Sequence, residues 1–498
     1  VSIADEQRVR LVLEAERYFG EKKKGCNRPE MEELVGAALA HVGIGIDAID
    51  GVACTAYKNK HVPEEFRDVK WLAEHEITLA GKAFKALILN HHLAHAAIVH
   101  AFPDAQDVAI DVCDGGGDFG DTHAIYRCRD GRIEQLPSRP VHEAFSSRFY
   151  DVISRYIYGR IMCEGKLMAL ASLGEPRAEM TDFIRNKLDM FHSAQPEESI
   201  RELRRCFPVE DYRRSVTGFD LAASAQRVFE EMRVESVIAL PTDSADVLLA
   251  GGATLNIVAN SRVKSLLGNS RRLLLPPCCD DTGQSLGALL YYCHERAGAK
   301  LSADMPFLGY SDRVSEAPLA GLDVSDELVA FVAKGGIVFL HRGQSEIGPR
   351  ALGHRSILAT PTRRNFDLIN HVIKEREFYR PLAPMLPLEA APTWFDWQGE
   401  SKYMLFAADT KVETQLNAPG ICHYDNSARI QTVAREDDAF LHTLLTHIGK
   451  VTGVPILINT SLNPRGAPIL STLGATRAFA RTLSTLAVRV FHAGHLEH

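Results

Sequence analysis

Twice before residue 300 an apolar strand passes through a glycine or aspartate loop into a helix, which restricts the chain to an α/β architecture. DVLLAGG, from Asp246, turns at Ala250-Gly251-Gly252 into a helical pattern, and RLLLPP, from Arg272, runs through Asp280-Asp281 into a helix from Gly283. Two hairpins accompany these units. VSIADEQRVRLVLEAE reads as strand, Asp-Glu turn, strand, and DVAIDVCD returns through GGGDFGD into THAIYRC, with Asp130-Gly131 leading to a third strand. The repetition suggests two related lobes with a ligand cleft between them. Between the hairpins, EKKKGCNRP is a loop, MEELVGAALAHVG a helix and ALIL (86–89) a strand, with Asn90 placed to cap a helix through HHLAHAAIVHAF. The pattern breaks into a Pro, Gly and Ser-rich stretch at 298–325, and ELVAFVAKGGIVFL then restarts a helix and a strand. The expected division is 1–305 and 306–498.

At 498 residues more than one domain is required. The composition, 46% hydrophobic and 24% charged, is that of a soluble globular protein. No apolar run reaches bilayer length and no signal peptide is evident, so neither membrane nor export is expected, and the location expected is cytoplasmic. A net charge of −8 argues against nucleic acid as a partner. Ten cysteines without a CxxC pair read as reduced structural thiols. The start at Val1 and the closing Leu-Glu-His, which resembles a tag remnant, lead us to expect that neither end is native.

His91 and His95 stand four apart on one helix face, the spacing with which a helix grips a metal ion, although an isolated HxxxH more often caps or packs. Asp114 ends a strand at a glycine turn, and Asp281 could supply a fourth ligand; two His and two Asp suit iron, manganese or zinc. Gly251, Gly252 and Asn256 open a helix where a phosphate or adenosine could approach, or where tight packing requires glycine. Lys166 in CEGKLMALA and the run Lys22, Lys23, Lys24 could reach phosphate or remain solvated.

Beyond residue 306 arginine is dense at structured places. GQSEIGPRALGHRS carries Arg350 and Arg355, KEREFYRPLAP carries Lys374, Arg376 and Arg380, SARIQTV carries Arg429, and NTSLNPRGAPI carries Arg465 beside Asn459 and Asn463. Any one of them could pair with a carboxylate such as Glu346 or Glu377. Four clusters together point to one polyanion site. Tyr150, Tyr156 and Tyr158 are expected to be packed core, with specificity loops at 143–160 and 190–215.

The ordered set HHLAHA, CDGGGD, GKLMALA, LAGGATLN, DDTGQSLGALL, GPRALGHRS, IKEREFYRPLAP, SARIQTV and NTSLNPRGAPI resembles the O-carbamoyltransferases of antibiotic and nodulation-factor biosynthesis, over nearly the whole chain. The resemblance implies an actin-like (ASKHA), two-lobed N-terminal domain joined to a smaller α/β domain. The smaller domain would form carbamoyl-adenylate from carbamoyl phosphate and ATP, and the larger would pass the carbamoyl group to a small-molecule hydroxyl in secondary metabolism. Carried over residue by residue, it implies His91, His95, Asp114 and Asp281 as ligands of a metal, usually iron. It implies Arg350, Lys374, Arg380, Arg429 and Arg465 at the carbamoyl-phosphate and ATP site, with Lys374, Arg429 and Arg350 closest to the chemistry. Lys23, Lys166, Gly251, Gly252 and Asn256 would lie around the nucleotide in the first domain, with Lys22 or Lys24 as alternatives to Lys23. The family's general base, in a His-Asp-x-Ser element, would precede Val1 and has no number here. Rival readings are a threonylcarbamoyl transferase acting on tRNA, a non-catalytic nucleotide- and metal-binding regulator, and an actin-fold sugar kinase.

Overall fold

Alternating apolar residues pair Ser2–Ala4 with Val9–Val12 as an antiparallel hairpin, in a computed structural model that describes residues 1–55, 71–116, 121–138, 147–192, 196–312 and 324–497. Asp5 closes its turn by accepting from the backbone N–H of Gln7 and Arg8. After the polar loop, Asn27 and Glu30 form a reciprocal capping box on helix Arg28–Val42. Part of the GGGDFGD turn, the start of the 143–160 segment, residues 193–195 of the 190–215 segment and residues 313–323 of the boundary stretch lie outside the described residues.

The sheet that organises the first part has five strands in the order Arg272–Leu274, Asp246–Ala250, Asp107–Cys113, His123–Arg129, Arg132–Gln135. The first three strands in sequence form an antiparallel meander, and the last two join parallel on the other side of the central strand. The order is a mixed α/β one. A separate three-stranded sheet pairs Lys82–Leu89 with Ala53–Thr55 and Leu72–Leu79, and Lys82–Leu89 delivers the chain to helix His91–Ala97. Both strand-to-helix units that the sequence displays fall in the five-stranded sheet, whereas the two hairpins fall in different sheets. Hydrophobic pattern identifies each unit but not its partner strands, which are set by contacts distant in sequence.

Helices fill the long connection between Arg132–Gln135 and Asp246–Ala250, chiefly Arg148–Tyr158 and Val216–Ile238, around their own apolar cluster. Among the described residues no helix is long and apolar enough to cross a membrane. A seven-stranded mixed sheet, running from Gln431–Val433 at one edge to His495–Glu497 at the other, organises the remainder. Apolar packing is continuous from Val247, Leu249 and Val263 to Phe339, Ile357 and Phe406. Asn260 Nδ2 donates to Leu405 O at 2.9 Å and Ser261 Oγ to Ala407 O at 2.7 Å across the same contact.

The first hairpin is also tied in, Val9 N donating to Ser302 O and Val12 N to Leu308 O. Leu496 and Glu497 pair within an edge strand, and Glu497 is bound to Arg477 at 2.6 Å. All ten cysteines are free.

Candidate functional site

The Asn90 side chain accepts from the N–H groups of His92 and Leu93, so the helix begins at His91 and both ligand-spaced imidazoles point the same way. They point at carboxylates. His91 Nε2 lies 2.9 Å and His95 Nε2 3.2 Å from the same oxygen of Asp114, and 3.3 and 3.5 Å from Asp281 Oδ1. One ligand atom from each of the four residues falls within 4.8 Å of the others. Both rings are buried, Asp114 is half-buried and Asp281 is exposed, so the centre opens on the aspartate side.

Burial opposes charge on His91, but the hydrogen bonds to Asp114 and Asp281 outweigh it and raise its pKa to about 10. His95 is raised by the same balance, and Asp114, despite burial, is held well below the usual carboxylate range by the two rings. The same four side chains would serve as ligands of a divalent cation. Two borderline nitrogen donors and two hard oxygen donors fit such an ion.

The glycines of 251–252 serve this centre. Gly251 has φ +85°, and a Cβ there would stand 2.2 Å from Cys113 O; at Gly252 it would stand 2.9 Å from Asp114 Oδ1. Without side chains the loop closes on the strand end, and Gly252 N donates to Asp114 Oδ1 at 3.2 Å. Asn256 caps helix Ile257–Leu267 and exchanges two amide hydrogen bonds with Gln226, so both ends of its side chain are engaged in structure.

The second assembly is cationic. Arg350, Arg376, Arg380 and Arg429 lie close enough to perturb one another, and the Lys22 charge reaches them from the N-terminal loop. Burial first, then Arg350, Arg376 and Arg380, hold the Arg429 guanidinium well below its ordinary pKa. Burial with Arg380 and Arg350 brings Arg376 to about 9. The Nε atoms of Arg350 and Arg429 are buried without a hydrogen-bond partner among the described residues. Like charges gathered out of water with donors unused form a receptor for an anion.

Other expected members are engaged by partners within the protein, Lys374 among them, although burial and then the nearby Arg376, Lys22 and Arg380 charges depress its pKa. The Lys374 ammonium is buried and donates to Ser461 and Asn463, with Asn463 Oδ1 at 2.6 Å, so it organises a strand end. Arg465 is exposed and pairs with Glu375 at 3.2 Å. Arg355 spends its guanidinium on five backbone carbonyls, those of Arg342, Gly343, His354, Tyr310 and Ser471. Lys166 is paired with Glu377 and lies over the Tyr158 ring. Among the three loop lysines, Lys24 pairs with Glu21 and Glu30, Lys23 takes a left-handed backbone with its charge near Asp151, and Lys22 faces Arg376 and Arg380.

Tyr150, Tyr156 and Tyr158 pack as expected, their hydroxyls bonded to Gln226, Phe207 O and Tyr379. Sequence reasoning missed a buried network on the strand that carries Asp114. Arg233 and Ser236 each donate to Asp111 at 2.5 Å, and His123 Nε2 lies 3.0 Å from it. An aspartate in the middle of DVAIDVC was the available signal, since a carboxylate inside a sheet requires a cation.

Residues 55–290 match the family description "Carbamoyltransferase N-terminus" and residues 329–492 match "Carbamoyltransferase C-terminus". Nodulation protein NolNO of Sinorhizobium fredii is 31% identical over 421 residues, covering 77% of this chain and 60% of that protein. Nodulation protein NolO of Bradyrhizobium diazoefficiens is 30% identical over 77% of this chain and 74% of that protein. Among solved structures, component A of the (R)-2-hydroxyglutaryl-CoA dehydratase of Acidaminococcus fermentans matches at 14% identity and TM-score 0.35, covering 58% of this chain and 90% of that one. T. kodakarensis HypF matches at 16% identity and TM-score 0.29, over 55% and 44%. Likenesses of that weakness carry no argument.

Proposed function

As the chain belongs to the carbamoyltransferase family, we propose that it moves a carbamoyl group from carbamoyl phosphate, at the expense of ATP, to a hydroxyl of a small molecule. In this reading water cleaves carbamoyl phosphate to phosphate and carbamate. A carbamate oxygen then attacks the α-phosphorus of ATP, forming carbamoyl-adenylate and releasing pyrophosphate. An acceptor hydroxyl next attacks the carbamoyl carbon, its proton goes to a base, and AMP leaves. We assign the first stage to residues 306–498 and the second to 1–305.

The observation that carries the reading is the cationic pocket, in which Arg350, Arg376, Arg380 and Arg429 crowd together with guanidinium donors unused. Arg350, Arg380 and Arg429 would offset charge on the departing phosphate and pyrophosphate. Lys374 would keep Ser461 and Asn463 in place beside them. At the second stage His91, His95, Asp114 and Asp281 would hold a divalent metal, iron by the family resemblance, which as a Lewis acid would polarise the carbamoyl oxygen. Gly252 N–H would fix the Asp114 carboxylate. The setting proposed is cytoplasmic secondary metabolism, with no nucleic acid as partner.

Pyrophosphate release from ATP, with and without carbamoyl phosphate, on wild type and Arg429→Ala tests this. Release should require carbamoyl phosphate and collapse in the variant. ATP cleaved equally without carbamoyl phosphate would overturn the reading, and would reopen threonylcarbamoyl transfer to tRNA.

A further inference from the structure

Glu14 and Arg17 leave the first hairpin side by side, both 8% exposed, with Arg17 Nε 2.7 Å from Glu14 Oε2. Neither belongs to the His–Asp centre or to the cationic pocket. Each turns one further polar atom onto a single residue more than three hundred positions away. Glu14 Oε1 accepts from Gly348 N at 2.7 Å, and Arg17 Nη2 donates to Gly348 O at 2.5 Å. Gly348 has φ +87°, and a Cβ there would stand 2.2 Å from Pro277 O, so only glycine permits the contact.

Two residues beyond Gly348 is Arg350, and four beyond Pro277 is Asp281. The 277–281 loop is fixed on its other side as well. Cys279 O accepts from Gly251 N at 2.7 Å, and the next residue, Gly252, donates to Asp114. One chain of backbone contacts thus runs from an arginine of the cationic pocket to two carboxylates of the His–Asp centre, with Glu14 and Arg17 closing its end.

We infer that Glu14 and Arg17 are positioning residues that clamp Gly348 and thereby set the cationic pocket and the His–Asp centre as one rigid unit. The proposal rests on the function assigned above to those two sites. A pair serving only stability would lower Tm and leave both affinities in proportion to folded protein. A clamp shifts both affinities in the folded protein, because the same displacement of 348–350 moves Arg350 and frees 277–281. Burial pushes the Glu14 carboxyl up to about 7 against the pull of Arg17, so removing Arg17 leaves a neutral acid, and the variant buries no unpaired charge.

The test uses Arg17→Met and Glu14→Gln in the full chain. Carbamoyl-phosphate-dependent pyrophosphate release gives KM and kcat, and titration with Co2+, followed by its visible absorption, gives metal affinity without turnover. Arg17→Met should raise KM for carbamoyl phosphate about tenfold with kcat within threefold. It should also weaken Co2+ binding roughly ten- to a hundredfold, as loss of outer support for metal ligands does. Glu14→Gln keeps an acceptor for Gly348 N and should move both quantities the same way by less. A shift at one site alone, or at neither, overturns the clamp. A wild-type protein that never develops a cobalt band is a separate failure, that of the metal reading, and takes the clamp with it.

Discussion

The His–Asp centre and the cationic pocket both take charge out of water, and they resolve it in opposite ways. In the first, acids and bases face each other at 2.9–3.5 Å, so every charge has a partner within the protein. In the second, burial and then Arg350, Arg376 and Arg380 together hold the Arg429 pKa down, while Glu377, 4.0 Å from Arg380, and Asp280, near Arg350, offset the gathered charge only in part. A self-paired cluster keeps its geometry whether or not its ligand is bound. A like-charged cluster is completed only by what it binds. Under the function proposed above, the difference would separate a site that holds one ion from one that accepts and releases anions at every turnover.

The sharpest way to break this comparison is Arg429→Ala. Losing a donor aimed at developing phosphate charge should lower pyrophosphate release by roughly 10²–10³-fold. A loss below about threefold would mean that the pocket does not face the reacting phosphates. His95→Ala should act on the other site, lowering carbamoyl transfer and Co2+ affinity on the order of a hundredfold while pyrophosphate release stays within about threefold. If both activities fell together, the two assemblies would not be separate sites.

A smaller effect concerns completion by ligand. Saturating pyrophosphate at constant ionic strength should raise Tm by about 2–4 °C, and the rise should vanish in Arg429→Ala. The His–Asp centre in chelator should show no such dependence.

The smallest effect is one of pH. The folded pKa of His91, about 10, lies above its ordinary 6.5, so in metal-free protein its pairing contributes fully below pH 6.5 and is lost as pH rises toward 10. Asp114 is shifted the other way, and its contribution is lost only as pH falls through the carboxylate range. Metal requires neutral rings, so Co2+ affinity should strengthen across the window in which metal-free stability declines. Thermal melts at pH 6 and pH 9, in chelator and in Co2+, would read both; a constant gap between them would contradict the pairing described.

What the sequence disclosed follows the same divide. His91, His95, Asp114 and Asp281 were legible because each occupies a local signal, a helix start or a strand end, whose side-chain direction follows from backbone geometry. The arginines were legible as a class and not one by one. Arg355 and Arg429 look alike in sequence, yet one is consumed by five carbonyls and the other keeps an unused donor. That distinction lies in which backbone oxygens happen to converge, a property of tertiary packing. The resemblance points to Lys23 with Lys22 or Lys24 as alternatives, and in the structure Lys22 faces Arg376 and Arg380 while Lys23 takes a left-handed backbone, a distinction no residue count along a lysine run can make. The sequence places Asn256 at the opening of a helix, and the structure adds that its side chain caps that helix, a role set by its contact with Ala259 N.

The helix that begins at His91 and the one that follows Asp281 cross where Gly287 meets Ala94, so closely that a Cβ on Gly287 would stand 1.8 Å from Ala94 O. No larger side chain can be admitted there without prising the two helices apart. The spacing between the His91 and His95 rings and the loop that carries Asp281 is therefore fixed by backbone against backbone, and enlarging residue 287 cannot adjust it by small steps.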